Sequence, residues 1–408
     1  MPTLEPVDAV VKNDTEQTAL KTVILLAICQ ALSQSASIII GVVSALTGLM
    51  LAEDKSLATL AVALMMVGVM VATIPASFLM KRIGRRAGFT IGQICGATSA
   101  LISIYAIFSG NFWLFVAAGP IYGIHTAFFH YYRFAAADAA TDAYRSRAIS
   151  LVLTGGVLAA ILGPNLAVWT RDLFAPVVFA GAYAAVFVLC LVSMSVVQFI
   201  KIPRPTVKEQ AETGRPLSEI ARQPAFAVAI LSAMLGYGSM SLVMTATPLA
   251  VTAHGHSFSD AAFIIQWHVL GMFTPSFFTG HLIHRFGTLN IILVGALLIM
   301  SCIAVHLSGV ELANFWFGLV ALGVGWNFMF IGGTTLLTTT YKRAERAKVQ
   351  AINDFCVFGS VATGALSSGI LHELFGWDGV NFGIVLPILI AFGAVLWLRL
   401  RPVPMAAQ

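Results

Sequence analysis

Four side chains in the second half of the chain have the types and spacing to hold a metal ion. Met240 and Met244 in "GYGSMSLVMTATP", and His268 and Met272 in "QWHVLGM", are each spaced i, i+4, so each pair falls on one helix face. Thioether sulfur and imidazole nitrogen are soft to borderline donors. Such a set suits Cu(I), which takes few ligands and needs no carboxylate. Counted inward from the ends of their apolar runs at about 1.5 Å per residue, Met244 matches His268 in depth at about 10 Å, and Met240 matches Met272 at about 16 Å. A plainer role is open to the same residues. Methionine fills irregular gaps between helices; the chain has 14 of them, and Met66 and Met70 repeat the spacing in an earlier run. His125 and His130 likewise read as packed, hydrogen-bonded residues within an apolar run. Cys356 could add a thiolate or be a small apolar filler.

The elements that must position these groups are apolar throughout. Of 408 residues, 58% are hydrophobic and 10% charged, and the mean hydropathy is +0.89. A soluble domain carries about a quarter charged residues, so lipid is the expected solvent. Twelve runs are long enough to cross a hydrocarbon core of about 30 Å: roughly 22–50, 57–80, 88–109, 112–136, 148–169, 174–199, 224–250, 261–283, 288–308, 314–339, 350–371 and 379–400. Backbone polar groups cannot stay unpaired in lipid, so these runs must be helices. The fold class is therefore an all-α integral membrane protein with twelve transmembrane helices.

The net charge of +5 is topological rather than a sign of a nucleic-acid partner. Of the 23 Lys and Arg, only Lys55 and Arg171 fall in connections on one side. The rest lie in the termini, in connections such as "KRIGRR" and "YKRAERAK", or at the same ends of the spans (Arg133). That asymmetry places both termini in the cytoplasm. The first twenty residues, with Glu5, Asp8, Lys12, Asp14 and Glu16, read as neither a signal nor a transit peptide. The five cysteines, Cys29, Cys95, Cys190, Cys302 and Cys356, all fall in predicted spans without zinc-like spacing, so no disulfide scaffold is expected.

The longest hydrophilic connection, "KIPRPTVKEQAETGRPLSEIARQP" at 201–224, carries four prolines and divides the spans six and six. The expected organisation is a first half over 1–200, a cytoplasmic linker over 201–224 and a second half over 225–408. The halves echo each other at a period near 200. Pro75 in "TIPASFLMKRIGRR" corresponds to Pro275 in "TPSFFTGHLIHRFG", and "YRSRA" at 144–148 to "RAERA" at 343–347. An internal repeat of this kind marks transporter architecture, with a site near the midplane between the halves.

"SFLMKRIGRR" (77–86) resembles the loop between the second and third spans of the major facilitator superfamily. Gly84, Arg85 and Arg86 fit that loop, while Ser77 and Lys81 replace its usual glycine and aspartate. The second copy, "GHLIHRFG" (280–287), keeps Gly280, Arg285 and Gly287 but has His284 at the acidic position. The resemblance implies two pseudo-symmetric six-helix halves, with these loop residues acting in conformational change. The MxxxM and HxxxM motifs on the seventh and eighth spans, with "TATPL" and "PSFFTGHLI" around them, resemble the CcoA-type copper importers. That resemblance implies import of copper across the bacterial cytoplasmic membrane to supply assembly of cbb3-type cytochrome c oxidase, with Met240, Met244, His268 and Met272 as ligands. Copper is then substrate, with the lipid bilayer as surroundings and no cofactor or enzyme activity. Uptake would fall as external pH drops toward about 6, because ligation needs neutral imidazole.

A sister branch with similar helical text resembles riboflavin importers, for which Trp326, Phe328 or Tyr237 would matter more than the methionines. A third reading is export of drugs. "GGVLAAILGP" (155–164) matches the antiporter motif at Gly163 and Pro164, but "NLAV" follows where a glycine pair is expected. Proton-coupled porters usually need an acid well inside the bundle, and here only Asp138 and Asp354 come close to lying in a span. Gln30, Gln34, Asn165 and Asn327 are the polar residues that could contribute to a sugar site.

Overall fold

The computed structural model describes residues 7–139, 145–200, 202, 214–342 and 345–401, and among them there is no strand. Most of the 201–213 stretch, much of the 144–148 and 343–347 repeat, and the side chains of Lys81 and Asp138 lie outside the described residues. The helices are α1 (Val7–Leu51), α2 (Leu60–Ile83), α3 (Arg85–Phe108), α4 (Phe112–Phe129), α5 (Tyr132–Ala139), α6 (Arg145–Thr170), α7 (Ala180–Val197), α8 (Leu217–Ala221), α9 (Pro224–Ala253), α10 (Phe258–Phe273), α11 (Ser276–Phe286), α12 (Thr288–Leu307), α13 (Leu312–Thr338), α14 (Arg346–Gly383) and α15 (Val385–Leu400).

Among the described residues nine helical stretches are long and apolar enough to cross a membrane. A tenth forms if α10 and α11, bent by 44°, are one span. The difference from the expected twelve has local causes. The stretch Thr154–Thr170 is apolar but short, and Lys348–Leu400 is counted once although it runs for 53 residues. At 1.5 Å per residue that is about 80 Å, far beyond one crossing of about 30 Å. The stretch turns at Gly376, whose φ of 65° and ψ of −160° are not helical and are open to glycine because it lacks a Cβ.

Contacts divide the chain into two compact units, Met1–Gly41 with Val71–Gln210, and Val42–Met70 with Ala211–Gln408. In the first unit α3 packs on α4 and α7. Gly88, Gly92 and Gly96 recur every turn along α3, and a Cβ at each would meet Met80, Phe128 or His125 within 3.0 Å. Small residues at that spacing are how membrane helices approach closely. Buried among them, the Gln93 amide nitrogen reaches Tyr132 Oη at 2.7 Å and Ser33 and Ser193 Oγ at 2.9 Å.

In the second unit α9 packs on α14, α13 and α15. Gly238 and Gly364 bring the α9 and α14 backbones together, since a Cβ on Gly364 would lie 2.4 Å from the Gly238 carbonyl oxygen. The segment 42–70 joins this unit partly through its short helical turn Lys55–Leu57, which packs on α14, and Thr59 Oγ1 accepts from the Gly369 amide at 3.2 Å.

A polar latch closes one end of the second unit. The Glu345 side chain, 1% exposed, accepts from the Arg215 amide, Nε and Nη2 and from the Lys342 amide, all at 2.8 Å. Lys348 Nζ donates to the Arg215 carbonyl. The Arg215 hydrogen bonds, aided by the Lys342 amide, hold the Glu345 carboxyl well below the usual carboxylate range. A depressed value means that the latch contributes its full stability above the ordinary 4.5, and that this contribution declines below 4.5 until pH falls through the lower folded value. Glu345→Gln is therefore expected to lower the thermal midpoint at pH 7, with the gap from wild type narrowing below pH 4.5.

Candidate functional site

The two loop copies adopt the same backbone. Gly84 begins α3 at φ 90°, ψ 157°, and Gly287 begins α12 at φ 84°, ψ 146°. Both angles lie in the region that favours glycine, which accounts for a glycine at each repeat position. Arg86 donates through Nε and Nη2 to Gln198 Oε1, each at 3.2 Å, tying α3 to the end of α7. Arg285 lies over the Phe286 ring at 5.3 Å. Gly280 has open space where a Cβ would be, and Arg85, beside Gly84, opens α3.

The four soft residues sit on neighbouring helices of the second unit. Met240 and Met244 are on α9, His268 and Met272 on α10. Met240, His268 and Met272 are buried and Met244 half-buried. α10 packs chiefly on α13, and His268 is engaged there: its Nδ1 lies 2.8 Å from the Leu319 carbonyl oxygen. A carbonyl only accepts, so Nδ1 carries the proton and Nε2 presents a lone pair. That Nε2 is buried without a hydrogen-bond partner among the described residues, an arrangement suited to a metal ligand. It is not particular to His268, however. His125 pairs its Nδ1 with the Gly92 carbonyl and His306 with Asn381 Oδ1, and both also leave Nε2 buried and unpartnered. Three histidines on three helices in the same state point to a way of packing histidine in this fold. No group of three His, Cys, Asp or Glu converges among the described residues.

Asn327, a candidate for a sugar site, is fully engaged at the bend between α10 and α11. Pro275 has no N–H to give the Gly271 carbonyl one turn back, and beside it the Met272 carbonyl accepts from Asn327 Nδ2 at 2.6 Å. The same amide reaches Ser276 Oγ, and Asn327 Oδ1 accepts from Thr279 Oγ1, both at 2.7 Å. Asn165 Nδ2 is bonded to its own helix at the Ile161 carbonyl, and Gln30 Nε2 reaches Gln34 Oε1 at 3.4 Å.

An aromatic group converges in the same unit. Trp326 and Phe330, one turn apart on α13, stack with ring centroids 5.1 Å apart and planes 9° from parallel. Tyr237 on α9 meets both edge-on, at 5.0 and 5.4 Å. Phe273 on α10 and Phe358 on α14 extend the group at 6.4 Å from Trp326 and Tyr237 respectively. Tyr237 and Phe330 are half-buried, so the stack has an open side. Trp326 is 6% exposed and its Nε1 has no hydrogen-bond partner among the described residues. Buried indole N–H groups normally find one. Trp326 and Tyr237 were expected from the sequence to matter for an aromatic substrate. Phe328 lies about 200° round α13 from Trp326, so it does not share that face. Phe273, Phe330 and Phe358 were not singled out. The i, i+4 spacing of Trp326 and Phe330 in "WNFMF" was the available signal, and the other rings are joined only by how helices register.

This arrangement can bind a planar, mostly apolar ring and offer one hydrogen-bond donor to its edge. The profile of the Major Facilitator Superfamily matches residues 23–336 and 237–408. The chain is 41% identical over 392 residues to the riboflavin transporter RfnT of Brucella anthropi, covering 96% of this chain and 98% of that one. It is 30% identical to the uncharacterized MFS-type transporter YddS of Bacillus subtilis, covering 87% and 84%. Among solved structures, the nucleoside transporter NupG superposes with a TM-score of 0.70 at 13% identity, over 93% of this chain and 99% of that one. A D-xylose–proton symporter gives 0.70 at 16%, over 94% and 97%.

Proposed function

This chain belongs to the major facilitator superfamily, is a multi-pass membrane transporter rather than an enzyme, and we propose that the molecule it carries is riboflavin or a close flavin relative, imported across the bacterial cytoplasmic membrane. The observation that carries the reading is the stacked Trp326–Phe330 pair with its unpartnered Nε1. An isoalloxazine ring has two apolar faces and a rim of carbonyl and ring-nitrogen acceptors. Its face would extend the aromatic stack on the open side at Phe330, with the Tyr237 ring at its edge. Riboflavin is uncharged, in keeping with a bundle that keeps nearly all its acids out of the spans. The 41% relative named for riboflavin transport supports the same reading. Both termini then lie in the cytoplasm, and the site opens alternately to the two sides.

Copper import is the second reading, favoured by the His268 lone pair and its neighbouring methionines. It has weaker support, because His125 and His306 share that state without methionine pairs, and the copper branch has no counterpart among the relatives described above. Flavin fluorescence separates the two readings, since the electron-rich phenol and indole rings of Tyr237 and Trp326 quench a flavin held close to them. Titrating purified protein into riboflavin is expected to quench the emission saturably, and Trp326→Phe to weaken the quenching. Unchanged emission at a large excess of protein would contradict the flavin reading.

A further inference from the structure

One polar pair beside the aromatic group is not used by that reading. Asn353 and Asp354 lie on α14, and Asn353 Nδ2 donates to Asp354 Oδ1 at 3.1 Å. Asn353 is 5% exposed, yet its Oδ1 has no hydrogen-bond partner among the described residues. Swapping the amide ends would set two oxygens against each other, so the orientation is fixed by its neighbour. The pair lies one helical turn from the aromatic group. Asn353 is four residues before Val357, which packs with Tyr237 and Phe330. Asp354 is four residues before Phe358, whose ring meets Tyr237. A turn advances about 5.4 Å and keeps i and i+4 on one face. Depth agrees: Phe330 is eight residues from the Thr338 end of α13, and Asp354 eight residues from the Arg346 end of α14. Among the described acids of this unit Asp354 comes nearest to lying within a span, near the start of the stretch Lys348–Leu400, and an ionisable group placed there is costly and marks function.

We propose that Asn353 and Asp354 bind a chain of hydroxyl groups on the substrate, while the aromatic group holds its ring. The inference rests on the flavin reading and adds a basis for selectivity. A flavin ring carries at N10 either a short alkyl group or a five-carbon polyol, and such a polyol spans one helical turn. Asn353 Oδ1 offers an acceptor and the Asp354 carboxylate a charged one, so the chain's hydroxyls would donate to both. A buried acceptor left without its donor is penalised, so a ligand with the ring alone is rejected more strongly than its lost contact area implies.

The test compares two ligands with the same ring: riboflavin, which has the polyol, and lumiflavin, which has a methyl group instead. Dissociation constants are read by fluorescence quenching on the purified full-length protein, for wild type, Asn353→Leu and Asp354→Asn. Wild type is expected to bind riboflavin at least about tenfold more tightly than lumiflavin, the weight of one charge-assisted hydrogen bond. Asp354→Asn, which removes the charge, should bring the ratio most of the way to one by weakening riboflavin alone, and Asn353→Leu, which removes the neutral acceptor and leaves the carboxylate, should lower it partway. Because the readout is a ratio, partial loss of folded protein does not change it, and lumiflavin binding by a variant shows that its ring site is intact. A wild-type ratio near one, or a ratio unchanged in both variants, would overturn the assignment while leaving flavin binding in place. Binding of neither ligand by wild type would remove the flavin reading, and this assignment with it.

Discussion

Replacing Trp326 with alanine is expected to lower riboflavin uptake by about 5- to 150-fold at unchanged membrane abundance. The range follows from about 1–3 kcal/mol for stacking of a heteroaromatic ring on an aromatic side chain. Trp326 contributes in two ways: its ring is one half of the stack with Phe330, and its Nε1 is a buried donor without a partner among the described residues. Trp326→Phe separates the two, keeping an aromatic face and removing the N–H, and should retain more uptake than Trp326→Ala. Phe328→Leu, on the other side of α13, should leave uptake within about twofold, since it keeps an apolar side chain and lies off the face that carries the stack. Equal losses at Trp326 and Phe328 would show general disruption of α13 rather than a site.

The largest expected effect on folding is at Gly364. A Cβ there would lie 2.4 Å from the Gly238 carbonyl oxygen and 3.2 Å from the Leu242 amide nitrogen. Both are backbone atoms of α9 and cannot move aside as a side chain can. Gly364→Val should therefore separate α9 from α14 at a cost of about 3 kcal/mol or more, above the usual range for overpacking. Size-exclusion profiles in detergent should show loss of the monodisperse species. Gly359 on the same helix is the control, because its nearest neighbour is Met70 Sδ at 3.5 Å, an ordinary contact. Gly359→Ala should be neutral or stabilise by about 0.5–1 kcal/mol through the better helix former.

The helices were legible from hydropathy because lipid leaves a polar backbone no alternative to internal hydrogen bonds. The repeat was legible too, and its clearest physical trace is the pair Gly84 and Gly287 at nearly the same positive φ. The places where the described spans depart from the sequence reading are breaks. Gly376 breaks one long apolar stretch, and another bends at Pro275, where Asn327 holds the Met272 carbonyl.

The site was legible only in part, for a geometric reason. Spacing within one helix says which residues share a face but not which neighbour that face meets. His268 and Met272 share a face, yet the His268 ring is bonded to α13 at Leu319, a partner 51 residues away that no spacing announces. Tyr237 and Trp326 could be named as aromatic candidates. Their meeting with Phe330, Phe273 and Phe358 depends on the register of four helices. Asn353 was not singled out at all, because an asparagine becomes informative only when its burial and missing partner are known.

The most direct measurement is uptake of radiolabelled riboflavin and of radioactive copper, side by side, in a deletion host producing this protein or its Met240→Leu/Met244→Leu double variant. Leucine conserves the methionine volume and removes only the sulfur. The account predicts riboflavin accumulation well above the empty host, retained within about twofold by the double variant, with no rise in copper. Copper accumulation by wild type that the double variant loses at equal membrane abundance, without riboflavin uptake, would contradict it and return the two soft pairs to a metal path.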